Sequence, residues 1–357
     1  MKLALLLLLA IQVNAQQPQS NPQPIVTLKS NIISHVTTHV VATPEIDVIL
    51  DTKQSSTVQE QEPQKTKTFT KTYAVDKNDK INLANEYGAL IIKTWDKNEI
   101  KVDAEIKAFA NSDSEAQKLL EATSINASKA GDLISFVTDI DLTNNWSSKS
   151  KKREVKVFMT VYMPSTNALN ATQEYGDLVI SDHSGPTTLA VEYGNLIAGN
   201  LKSSTNSIRV EYGKATIKSV NQARITHEYG DGITIGSAGS LSINAEYTTI
   251  KIGSLRGKAT ANLEYVKLIA DDISASFAIT ADYGSITLGF DPSFKASINV
   301  ATNYGSFKYG PAANVKRLNS SDRDYDFSRV YTGDIGKGDG KGDNISIKSE
   351  YTTIIFK

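Results

Sequence analysis

The chain has 357 residues, 38 basic and 39 acidic, with four His and no Cys. No Cys excludes disulfides, thiol catalysis and a lipoprotein anchor. A net charge of −1 supplies no overall field for nucleic acid or an anionic membrane.

In chain order, residues 1–15 read as an export signal. Lys2 gives the positive start, "LALLLLLAI" the apolar core and Val13-Asn14-Ala15 the small-residue cleavage site. The run is too short for a comfortable bilayer span, and no other stretch is long and apolar enough for one. The expected mature protein is soluble, and periplasmic or extracellular. Residues 16–65 form a low-complexity linker segment, opening with "QQPQSNPQP". His35 and His39 lie in a β-prone stretch. In a strand they stand roughly 13 Å apart, too far to share an ion, so no metal is assigned.

Residues 66–165 read as a strand-rich cap. "EIKVDAEIKAF", "DLISFVTDIDL" and "EVKVFMTVYMP" alternate as strands. "SDSEAQKLLEA" reads as a helix with Ser112 and Glu115 as its capping box. A helix there is expected to cover an exposed edge.

Residues 166–357 carry a repeat. Tyr175, Tyr193, Tyr212, Tyr229, Tyr247, Tyr265 and Tyr283 are spaced by 18, 19, 17, 18, 18 and 18 residues; Tyr87 precedes them, and Tyr304 and Tyr351 follow. A fixed period of this size predicts an all-β fold, a β-solenoid of about 18-residue coils with a helix-containing N-terminal cap. Counting back by twos from Tyr193 gives Val191 and Leu189, and from Tyr212 gives Val210 and Ile208. That alternation predicts buried Tyr rings, stacked in an aromatic ladder, with Glu on the wet face. Sugar-stacking platforms are the competing reading.

Three and five residues past Tyr, as at Leu178 and Ile180, a second apolar pattern begins with its parity switched. A corner therefore sits between the two strands. Gly follows Tyr at 88, 176, 194, 213, 230, 284 and 305, but Thr248, Val266 and Thr352 take the same place. β-Branched residues resist positive φ. The corner is thus expected to need no left-handed residue, and Gly to serve close packing between coils.

The acidic residues before Tyr, namely Glu174, Glu192, Glu211, Glu228, Glu246, Glu264 and Asp282, form a candidate surface row. "GDIGKGDGKGDN" reads as an excursion before a last coil, "ISIKSEYTTIIFK". It lacks the Lys-Ser or Lys-Thr of a phosphate loop.

"LANEYGALIIKTWDKNEIKVDAE" and "YTGDIGKGDGKGDNISIKSEYTTIIF" resemble the bacterial "putative adhesin" family, strand-repeat domains of unknown function related to the head-GIN domain. The resemblance covers roughly residues 66–357. It implies a repeat fold and supplies no catalytic residues.

The leading expectation is a non-enzymatic secreted or cell-envelope scaffold, adhesin-like, presenting stacked Tyr and Glu ladders to a cell-surface, glycan or envelope-protein partner. The alternatives are a polysaccharide-binding or -processing β-helix protein and a periplasmic accessory of envelope-stress signalling. A processing enzyme needs clustered acid and base. Asp271 and Asp272 are neighbours that point to opposite faces of a strand, while His183 and His227 sit alone in separate coils and are expected at the surface or in corners. No catalytic, cofactor or metal residues are assigned, and no nucleic-acid partner.

Overall fold

In a computed structural model, residues 64–141, 153–318, 327–336 and 342–357 are described. They belong to one compact unit, Gln59–Lys357. The expected export signal, nearly all of the linker segment, and His35 and His39 lie outside the described residues.

The described residues are all-β with one helix. They open with β1 (Gln64–Ala74), β2 (Lys80–Trp95), β3 (Glu99–Ala110), α1 (Asp113–Glu121), β4 (Thr123–Ala130), β5 (Leu133–Ile140) and β6 (Arg153–Pro164). Ser112 caps α1 as its residue type predicts, its side chain accepting from the Glu115 amide. The helix buries Ala116, Leu119 and Leu120 and packs against β3 and β1. It thus covers a sheet face rather than a strand edge. Among the described residues the edge strand β1 pairs with β3 alone, and it carries the exposed Lys71, a charge that discourages another strand from adding there.

The repeat region supplies β7 (Ala168–Ile180), β8 (Thr187–Glu192), β9 (Leu196–Leu201), β10 (Asn206–Glu211), β11 (Lys214–Glu228), β12 (Gly232–Glu246), β13 (Thr249–Leu255), β14 (Ala259–Glu264), β15 (Lys267–Ile273) and β16 (Phe277–Phe290). The strand segments before Tyr pair in parallel in the order β2, β7, β8, β10, β11, β12, β14, β16. The segments after Tyr form a second parallel ladder: β6, β2, β7, β9, β11, β12, β13, β15, β16. Equivalent residues of successive repeats are therefore direct neighbours. Leu189, Ile208, Ile225 and Ile243 make one buried apolar row, and Leu178, Leu196, Ala215 and Ile233 another. Each Leu or Ile in these rows removes roughly 1.5–3 kcal/mol worth of apolar surface from water. The core is a continuous seam between the two ladders.

The chain then forms β17 (Ala296–Asn303), β18 (Ser306–Tyr309), β19 (Ala313–Arg317), β20 (Ser328–Ile335) and β21 (Asp343–Phe356). Sequence order predicts β21 as the outermost coil. Instead it lies between β16 and β17, parallel to both, and pairs with β18 through its second half. At both ends the parallel ladder gives way to antiparallel strands: β5–β4 and β6–β3–β1 at one end, β17–β20–β19 at the other. Among the described residues no helix is long and apolar enough to cross a membrane.

Candidate functional site: the Glu-Tyr-Gly column

The residue two before each Tyr points inward, as Val191, Val210, Ala245 and Leu263 do, and the acidic residue after it points out. The following Tyr does not turn back in. Ten tyrosines, Tyr87, Tyr175, Tyr193, Tyr212, Tyr229, Tyr247, Tyr265, Tyr283, Tyr304 and Tyr351, have φ between 45° and 54°, and no other described non-glycine residue has positive φ. The rings are 41–55% exposed. The expectation of buried tyrosines is therefore wrong. It assumed extended backbone through the corner, whereas the left-handed residue ends the alternation and swings the ring outward. The corner does require a left-handed residue; the Tyr itself takes that role, not the residue after it.

Left-handed backbone costs a non-glycine residue roughly 1–2 kcal/mol. Two interactions offset it. In most repeats the Tyr amide donates to the next repeat's acidic-residue carbonyl, as from Tyr193 to Glu211 at 3.1 Å and from Tyr265 to Asp282 at 2.9 Å. The rings also stack: adjacent centroids lie 4.7–5.5 Å apart, with planes within 13° of parallel, from Tyr87 through Tyr283 to Tyr351 and Tyr304. Such pairs contribute about 0.5–1.5 kcal/mol beyond burial. Phe327 covers the last ring at 4.7 Å. With both faces covered along the column, an interior ring has no face for a sugar to stack on, which removes the platform reading. Burial, then the adjacent tyrosines and carboxylates, raise the Tyr175 and Tyr193 hydroxyl pKa values above the ordinary tyrosine value.

The expectation for the glycines is supported. A Cβ on Gly176, Gly194 or Gly213 would lie 1.7–1.8 Å from the carbonyl oxygen of the preceding repeat's glycine. Where Thr248 and Val266 replace Gly, their side chains are buried, and the Thr248 hydroxyl donates to the Gly230 carbonyl at 3.2 Å.

The acidic residues lie side by side: Glu86, Glu174, Glu192, Glu211, Glu228, Glu246, Glu264, Asp282 and Glu350 occupy successive strands. At ~4.8 Å spacing, two unit charges repel by roughly 0.9 kcal/mol even in bulk water. Burial, then the charges of Glu174 and Asp139, raises the Glu86 pKa. Arg209 pairs with Glu211. Glu228, Glu246, Glu264 and Asp282 share a cleft of about 320 Å³ with Asn244, Asn262 and Thr280. Among the described residues no three His, Cys, Asp or Glu side chains are placed to hold one metal ion.

His183 and His227, expected at the surface or in corners, are fully buried. Burial lowers both pKa values. His183 Nε2 contacts the Asn167 carbonyl at 2.9 Å. Neither ring nitrogen of His227 forms a hydrogen bond of good geometry, though the Gly213 and Gly232 backbone lies beside it. The signal was available: His227 holds the position that Val210 and Ala245 hold in neighbouring coils. Asp271 and Asp272 each meet a cation, Lys357 at 2.9 Å and Arg256 respectively, so neither is poised as a free acid or base.

No family model and no curated protein matches the sequence. Among solved structures, the chain is similar to a "putative adhesin" from Bacteroides fragilis, with 13% identity over 82% of this chain and 97% of that one and a TM-score of 0.37. A "putative lipid binding protein" from Parabacteroides distasonis is similar at 9% identity over 81% and 96%, TM-score 0.42. A "putative adhesin" from Parabacteroides merdae is similar at 10% over 82% and 96%, TM-score 0.31.

Proposed function

We propose that residues 66–357 form a β-solenoid of about 18-residue coils with a helix-containing N-terminal cap, serving as a non-enzymatic, adhesin-like scaffold. It is exported by the segment 1–15 and works in the periplasm or at the cell surface. In this reading the Tyr column is the spine and the acidic row is the presented surface. The observation that carries it is the in-register run of nine carboxylates, Glu86 to Glu350, on successive strands. Thr or Gln would keep such a face wet without the repulsion, so solvation alone does not account for the choice. A row of this kind gathers cations or pairs with a basic or hydroxyl-rich partner surface, as the flat faces of repeat proteins do with extended partners.

The test replaces Glu192, Glu211, Glu228 and Glu246 with Gln and measures binding to cells, glycans and calcium, alongside protease accessibility on intact cells. Weaker binding by a variant as stable as the parent is expected. Unchanged binding would reduce the row to a solvated face.

A further inference from the structure

On the same outward face, four and six residues before each acidic position, two further rows run across the ladder. They line an open groove of about 1040 Å³. The rows are mostly hydroxyl and amide: Asn82 and Asn170 bond to each other at 2.7 Å, and Thr188, Ser207 and Ser242 continue the line. Three cations line the groove, Lys80, Arg224 and Lys258, and no acidic side chain does. All three are exposed, and among the described residues none makes an ion pair. Lys80 begins β2, Arg224 is in β11 four strands away, and Lys258 precedes β14 two strands further. At ~4.8 Å per strand the cations span roughly 29 Å.

We infer that this groove binds an extended acidic polysaccharide, a polyuronate. The near-zero net charge of the chain conceals a locally positive strip. Its cations complement carboxylates spread along a polymer, and its hydroxyl and amide rows meet the sugar hydroxyls between them. The acidic row on the same strands repels the polymer and confines it to the groove. No aromatic side chain lines the groove, so it lacks the stacking platforms that hold single-stranded nucleic acid. The exposed Leu133 and the half-buried Ala168 flank Lys80, where they can meet the C–H faces of sugar rings.

The full chain is titrated with polygalacturonate, neutral dextran and an oligothymidylate at low salt. One variant combines Lys80→Gln, Arg224→Gln and Lys258→Gln. A control of equal charge change combines Lys251→Gln, Lys267→Gln and Lys308→Gln. Polygalacturonate is expected to bind the parent, to lose affinity with added salt by counterion release, and to bind the groove variant about tenfold more weakly while the control changes less than about twofold. No binding by the parent, equal losses in both variants, or equal binding of dextran or oligothymidylate would overturn the inference. Should the groove variant not fold, Arg224→Gln alone decides by the same criteria. This test uses purified protein and spares the acidic row. A failed adhesin reading with an active groove, and the reverse, therefore give different results.

Discussion

Tyr283 stacks on Tyr351, centroids 4.8 Å apart, and not on Tyr304, the next tyrosine of the repeat, which lies against the other face of Tyr351 at 5.0 Å. The last strand of the chain is thus inserted between two earlier ones. Residues Ile345, Ile347, Ile354 and Phe356 are buried there, and β16 and β17 each owe a parallel neighbour to β21.

Truncation before Asp343 would therefore leave both strands with an open edge. The expected outcome is faster tryptic cleavage at Lys295 and Lys308 than in the parent. Protection equal to the parent would mean that β17 re-pairs with β16 and Tyr304 stacks directly on Tyr283.

The glycine after Tyr is predicted to be needed for space. Gly213 would place a Cβ 1.7 Å from the Gly194 carbonyl oxygen, whereas Gly131, at φ +55°, has no atom within 4 Å. Gly213→Ala is expected to cost about 2–3 kcal/mol in urea unfolding, at the upper end for overpacking. Gly131→Ala pays only left-handed strain, about 1–2 kcal/mol. A reversed order would show that the coils separate easily.

Acid should weaken the fold through its buried histidines. The folded-state pKa values of His183 and His227 lie below the ordinary value, so below about pH 6.5 the unfolded chain binds protons that the folded chain refuses. Their contribution is complete above that pH and is lost as pH falls toward the folded values. Glu86 acts in the opposite sense: its raised pKa stabilises below the unfolded carboxylate value of about 4.3 and is lost as pH rises through the folded one. His227→Val, matching Val210 in the adjoining coil, should reduce the fall in urea midpoint between pH 7.5 and 5. An unchanged pH profile would contradict this.

The period, the parity switch and the helix at Asp113–Glu121 were legible because each is a local pattern. The left-handed tyrosines were not, since such backbone is glycine's habit and the ring chemistry that stabilises it acts between coils. A clue existed in Thr248, Val266 and Thr352: if those residues cannot bend left-handed, the residue before them must. The insertion of β21 was hidden because sequence order is not spatial order, though the irregular step of 21 from Tyr283 to Tyr304 marked the place. The basic groove escaped notice because its rows share polarity but not identity, and only pairing aligns Lys80, Arg224 and Lys258.

The account rests on stacked rings holding a strained corner, and the urea midpoints of Tyr229→Phe, Tyr229→Gly and Tyr229→Ala test that most directly. Phe keeps the stack and should stay within about 0.5 kcal/mol of the parent. Gly loses the stack but relieves the φ of 51°. Ala loses the stack and keeps the strain, and should be the least stable, about 1 kcal/mol below Gly. Ala equal to Phe would contradict the account, because the ring would then contribute nothing to the column.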